Sequence, residues 1–285
     1  MRILVTGAHG MLGRDVVAAQ REQDDVRGVD IDDGDLTDKQ TASDLIAESK
    51  PDWVINCAAY TAVDKAETEP DLARAVNVDL VANLAEACRT QGARLLHVST
   101  DYVFSGNKCE PYLPSDKPDP LGVYGRSKFE GEQAAQKVLG KDVAIVRTAW
   151  LYGPHGPSFV KAILAQIDRD KPLHVVDDQI GPPTYTGHLA EALWAAVHAD
   201  LRGVHHAVNT GYCSWYAFAV AICELSGHAG LPVAPMSSSE LDRPAPRPAD
   251  SRLDTSSFTA ATGHLLPLWR EGLTAYLKRI DRYAP

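Results

Sequence analysis

The sequence predicts an α/β fold, a doubly wound parallel sheet followed by a smaller C-terminal domain. Three observations lead there. Short apolar runs alternate with helical stretches through the first 150 residues. The runs are nearly continuous rather than alternating, as in strands covered on both faces. A glycine pattern, Gly7-Ala8-His9-Gly10-Met11-Leu12-Gly13, separates the first run from the first helix. Together they describe βαβ units of the Rossmann type.

Ile3-Leu4-Val5 reads as a buried strand, Gly13 to Gln23 as a helix, and Asp25 to Asp30 as a second, weaker strand. Lys39 to Glu48 is helical. Trp53-Val54-Ile55-Asn56, introduced by Pro51-Asp52, is a strand. Asp71 to Thr90 carries Leu72, Ala75, Val76, Leu80 and Leu84 at helical spacing. Leu95 to Val98 is a strand, Lys128 to Leu139 a helix, and Val143 to Val146 a strand. After a turn-rich break at Tyr152 to Pro157, the expected helices are Phe159 to Asp168, Leu189 to His198 and Trp215 to Leu225, with a strand at Leu173 to Val176. Pro232 to Pro248 holds five prolines and reads either as a linker or as an ordered binding loop, with Arg243, Arg247 and Arg252 in or just beyond it. The expected division is residues 1–150 for a dinucleotide, with a later segment, about 172–186, returning to that domain. Residues 151–285 are left mainly to the substrate.

Composition narrows the function. With 28 basic and 38 acidic residues the net charge is −10, and no basic run is present, so nucleic acid is an unfavoured partner. The five cysteines are widely spaced without a CxxC, which disfavours a disulfide framework or a zinc site and suits reduced thiols in a cytoplasm. Only three apolar residues precede Gly7, too few for a signal-peptide core, and no run approaches a membrane span of about 18 apolar residues. The expected chain is cytoplasmic, with neither metal nor membrane partner, and a monomer or homodimer.

In the glycine segment, Gly7 permits the tight turn, Gly10 lets backbone approach a pyrophosphate, and Gly13 lets the helix pack on the sheet. The free N–H groups of the helix start favour phosphate. His9, Met11 and Leu12 fall in the same turn, with His9 either beside the cofactor or facing solvent. Asp30, at the end of the second strand, is placed to take a ribose hydroxyl, and Asp35-Leu36 to lie near the adenine. A solvated turn is the alternative for these carboxylates. Asn56-Cys57-Ala58-Ala59 is small enough to let a cofactor lie against backbone, and Tyr60 follows it. The cofactor is thus NADPH or NADH.

Tyr124-Gly125-Arg126-Ser127-Lys128 is a YxxxK pair, four residues apart on one helical face. Thr100 follows a strand, on the sheet edge where ligands bind. A phenol is a poor acid at neutral pH, and a nearby ammonium lowers its pKa. The glycine turn, the Ser99-Thr100 pair and YxxxK together resemble the extended short-chain dehydrogenases/reductases. The segments Thr61 to Glu67, His97 to Gly106, Arg147 to Gly153, Asp178 to Thr184 and Arg247 to Leu253 are similar to the dTDP-4-dehydrorhamnose reductases within that superfamily, and the likeness runs to Trp269.

That resemblance implies NAD(P)H-dependent reduction of dTDP-4-dehydro-L-rhamnose at C4 to dTDP-L-rhamnose. Tyr124 would protonate the alkoxide, Lys128 hold the nicotinamide ribose and tune Tyr124, and Thr100 bond the same oxygen. It places Val63, Tyr102 and Trp150 around the sugar, Asp101 as scaffold, and Arg247 with Arg252 at the diphosphate. Asp64 and Lys65 would hold the loop that shapes the pocket. Ordinary core is the alternative for Trp150. Related 4,6-dehydratases carry Thr-Asp-Glu, whereas Thr100-Asp101-Tyr102 lacks the glutamate and favours simple reduction. His188 and Arg270 stand where metal-linked relatives carry acids, and Ser158 where relatives often carry asparagine. A reductase of another dTDP-4-keto-deoxysugar, and a non-catalytic nucleotide-binding subunit, are the alternatives.

Overall fold

The computed structural model describes residues 1–169 and 171–284. Its first half is built from β1 (Arg2–Thr6), α1 (Met11–Ala18), β2 (Asp25–Val29), α2 (Lys39–Ser49), β3 (Trp53–Asn56), α3 (Val63–Ala66), α4 (Pro70–Arg74), α5 (Leu80–Gln91), β4 (Arg94–Thr100), α6 (Val123–Leu139) and β5 (Ala144–Thr148). These strands form one parallel sheet in the order β5-β4-β3-β1-β2, with Gly203–His206 added beside β5. The chain starts mid-sheet, winds out to β2, then returns past β1 to β3. The reversal between β1 and β3 opens a crevice at the strands' carboxyl ends, the site where such sheets take ligands.

Both faces of the sheet are covered. Ile3, Val5, Ile55, Leu96 and Val146 point to α1 and to the helix Thr186–His198. Leu4, Val54, Leu95 and Ile145 point to α2, α5 and α6. This two-sided burial explains why the strands read as continuous apolar runs. A separate apolar cluster, with Tyr152, Leu173, Phe218, Ile222 and Tyr276, holds the C-terminal part together.

Several elements differ from the sequence expectation. Helix α1 stops at Ala18, because residues 20–24 bring no apolar side chain to extend its buried stripe. The long helix expected over Asp71 to Thr90 is interrupted by a π-helical turn at Ala75–Asp79. There Asn77 is fully buried, bonding the Tyr60 backbone and the Ser127 hydroxyl. Helix α6 begins at Val123, so Tyr124 and Lys128 both lie on it.

The segment about 172–186 does not return to the large sheet. Leu173–Val176 instead pairs in parallel with Val233–Met236 in a sheet of their own. Leu173 and Val175 bury in the C-terminal cluster, so this strand belongs where its side chains are covered. The strand that does return is Gly203–His206, delivered to the edge beside β5 after the helix Thr186–His198 packs on α1. Pro232 to Pro248 is an ordered loop with a strand, a 3-10 turn and the Arg247–Asp64 ion pair.

Candidate active site

Two cavities meet at the crevice and share Gly10, Cys57 and Ala59 as walls. One, of about 490 Å³, runs along the glycine turn and is lined by Gly7, His9, Asp30, Asp35, Leu36 and Ala58 among others. The other, of about 410 Å³, includes Met11, Leu12, Gly13, Val63, Thr100, Asp101, Tyr102, Tyr124, Lys128 and Trp150 in its wall.

The glycine turn is shaped for a dinucleotide. Gly7 adopts φ +68, and a Cβ on it would lie 2.6 Å from the Ala58 nitrogen. A Cβ on Gly13 would lie 2.0 Å from the Gly7 carbonyl oxygen. Backbone therefore closes on backbone, and α1 starts directly beneath the cavity with its first N–H groups available to phosphate. The Asp30 carboxylate accepts from the backbone N–H of His9 at 2.7 Å and of Ile31 at 2.9 Å. It braces the turn as well as lining the cavity. The residues present thus fit a dinucleotide. Tyr60 lines neither cavity; its hydroxyl bonds Glu69 and its backbone N–H is taken by Asn77.

The Thr100, Tyr124 and Lys128 side chains come from two elements. Strand β4 ends at Thr100, and α6 presents Tyr124 and Lys128 one turn apart. The Thr100 hydroxyl reaches Tyr124, and also donates to Asp101 Oδ1 at 3.0 Å. Burial pushes the Tyr124 phenol up to about 12, opposed by Thr100. Lys128 does not offset this burial; its Nζ donates to the Val98 carbonyl at 2.8 Å. A phenol raised this far keeps its proton at neutral pH. Burial brings Lys128 down to about 8, with Glu132 and Cys57 opposing. Burial also raises Asp101 to about 6, against the hydroxyls of Ser251 and Thr100.

Below this layer, Glu132 is buried and bonds Arg147 through both oxygens and the Ser99 hydroxyl through one. That ion pair anchors α6 to β4 and β5. Trp150, at φ +50, stacks on Trp215 with ring centroids 3.5 Å apart and forms one wall of the catalytic cavity.

The arginines are paired differently. Arg247 lines neither cavity; it makes a bidentate pair with Asp64 and neighbours Tyr102. Arg252 is paired with Asp250. Arg243, in contrast, has no carboxylate partner among the described residues and edges a third cavity of about 250 Å³ with Phe159, Trp215 and Met236. The sequence also gave no sign of Thr148, whose buried hydroxyl has no partner among the described residues although Thr148 lines the catalytic cavity. Its only signal is proximity to Trp150. Trp215 had none, since its stack on Trp150 spans 65 positions.

A doubly wound sheet, a glycine turn after its first strand and a Tyr–Lys pair beside a strand-end threonine define an extended short-chain dehydrogenase/reductase. More narrowly, the chain belongs to the family described as RmlD substrate binding domain, whose model matches residues 1–282. The dTDP-4-dehydrorhamnose reductase of Streptomyces griseus is 46% identical over 280 residues, covering 96% of this chain and 92% of that protein. The crystal structure of a dTDP-4-dehydrorhamnose reductase from Clostridium acetobutylicum superposes with TM-score 0.94 at 38% identity, covering 99% of this chain and 100% of that one. The Bacillus anthracis enzyme of the same name, in complex with NADP, gives TM-score 0.92 at 37% identity, covering 98% and 99%. Among the described residues no helix is long and apolar enough to cross a membrane.

Proposed function

We propose that this chain reduces dTDP-4-dehydro-L-rhamnose at C4 to dTDP-L-rhamnose, the last step of dTDP-rhamnose formation, using NADPH or NADH. The observation that carries the reading is the convergence of Thr100, Tyr124 and Lys128 in one cavity that opens onto the glycine turn. When bound, the reduced nicotinamide supplies a hydride. Tyr124 donates its phenolic proton to the C4 oxygen, and Thr100 bonds that oxygen, so the ketone becomes an alcohol. Lys128 orients the nicotinamide ribose and stabilises the phenolate that remains. Val63, Tyr102 and Trp150 hold the sugar, and Asp101 positions Thr100. Gly7, His9, Gly10, Met11, Leu12, Gly13, Asp30, Asp35, Leu36, Ala58 and Ala59 hold the dinucleotide.

The division of labour follows: residues 1–150 with the returning strand Gly203–His206 bind the dinucleotide, and residues 151–285 mainly the sugar nucleotide. Arg243 is the guanidinium free to meet the diphosphate, with Arg247 braced behind it. The reaction belongs in the cytoplasm, supported by five free cysteines. The partner is the dTDP-sugar, with the chain acting as a monomer or homodimer. The test is loss of nicotinamide absorbance when the purified protein meets NADPH or NADH and dTDP-4-dehydro-L-rhamnose. Turnover supports the reading; silence with both cofactors rejects it. A panel of other dTDP-4-keto-deoxysugars decides whether rhamnose is the preferred product.

A further inference from the structure

A buried chain of polar groups runs away from the cavity behind Lys128. The Asn56 side-chain oxygen accepts from the Ala58 backbone N–H at 3.0 Å and from the Thr6 hydroxyl at 2.7 Å. The backbone donor fixes which end of the amide is oxygen, since a flipped amide would set N–H against N–H. The Asn56 NH₂ therefore faces His97 Nδ1, at 3.0 Å. An amide NH₂ only donates, so Nδ1 must present a lone pair. The His97 ring is consequently neutral with its hydrogen on Nε2. Its full burial works in the same direction, holding the imidazolium pKa well below the ordinary range.

That Nε2 lies 3.4 Å from Lys128 Nζ. An ammonium has three hydrogens and no acceptor, so it meets the imidazole N–H donor to donor. An uncharged amine can accept from Nε2–H while still donating to the Val98 carbonyl. The other groups facing Lys128 do not reverse this preference. Both Glu132 oxygens are taken by Arg147, and Cys57, pushed up to about 12 by burial, stays a neutral thiol. Tyr124 stays a neutral phenol.

We propose that His97 is a positioning residue of this site: locked by Asn56 in the tautomer protonated at Nε2, it sets how readily Lys128 gives up its proton. The role deepens the reductase reading and rests on it, because there the charge on Lys128 is what stabilises the tyrosinate. Loss of that proton then sets the basic limit of turnover.

Nitrogen-15 NMR of the full chain tests this without any turnover, so its failure is distinct from failure of the reductase reading. The expected result in the native protein is a hydrogen on His97 Nε2 and none on Nδ1. Asn56→Asp replaces the donor with an acceptor, which draws the hydrogen to Nδ1 and turns the Nε2 lone pair towards Lys128. The Lys128 Nζ titration, and with it the basic limb of kcat/KM, then moves up by about one unit or more. The same substitution in a His97→Leu background moves it less, because only the added charge remains. A native His97 protonated on Nδ1, or equal shifts in both backgrounds, overturns the proposal. If either variant fails to fold, the tautomer of the native protein decides alone.

Discussion

Tyr124→Phe removes a single oxygen from the catalytic cavity, and the structure sets what that oxygen is worth. The phenol, pushed up to about 12 by burial, carries its proton throughout the neutral range. Nothing nearby replaces it. The Thr100 hydroxyl is an aliphatic alcohol, a far weaker acid than a phenol, so it can bond the C4 oxygen but not protonate it. Asp101, raised to about 6, is mostly ionised at pH 7.5 and is bound by Ser251. The Lys128 amine points to the Val98 carbonyl. With no substitute donor, the loss is in the middle of the range for a general acid, about a thousandfold in kcat, or ~4 kcal/mol in the barrier. The fold loses little, about 1 kcal/mol or less, because Thr100 keeps Asp101 as its partner. Steady-state loss of nicotinamide absorbance at pH 7.5 measures the first quantity, and urea unfolding the second. A folded Phe variant with kcat within about tenfold of the parent would refute the assignment of Tyr124 as proton donor.

Glu132→Gln leaves the Arg147 guanidinium, only 3% exposed, without its counter-charge; urea unfolding is expected to show a loss of about 3–5 kcal/mol, and an unchanged midpoint would remove the pair from the anchoring of α6. Gly181→Val puts a Cβ 2.5 Å from the Trp150 ring, so KM for the sugar nucleotide rises while dinucleotide affinity, read by fluorescence titration, holds; the opposite pattern would take Trp150 out of the sugar site. Asp101→Asn tests the cost of a buried carboxylate. Its pKa is raised from 3.8 to about 6, so the native state binds this proton more tightly than the unfolded chain. The group's favourable contribution is present below about 3.8 and lost as pH rises through about 6. The Asn variant escapes that loss and is expected to be more stable than the parent by ~1–3 kcal/mol at pH 8, with the gap closing towards pH 4. Unfolding at both pH values checks the sign, and a variant less stable at pH 8 contradicts it.

Much of the site was legible in the sequence because it is local. The glycine turn lies within seven residues and Tyr124 and Lys128 within one helical turn, so spacing alone placed their side chains together. Strands β1, β3, β4 and β5 were legible for a related reason: a strand covered on both faces must be apolar throughout, whatever covers it. The π-helical turn at Ala75–Asp79 left no mark, since its apolar spacing matches an unbroken helix and only the buried Asn77 demands the extra residue.

The sequence by itself determined the doubly wound sheet, the dinucleotide crevice and the placing of Tyr124 and Lys128 on one helical turn, each set by patterns within a few residues. Tertiary structure alone decided the partners. It sent Leu173–Val176 to Val233–Met236 rather than to the large sheet, and paired Arg247 with Asp64. It also laid Trp150 on Trp215 and set His97 against Lys128. Apolar strands and charged side chains have many equally suitable mates along a chain of this length. Which mate is met depends on how the whole core packs, and no local spacing carries that information.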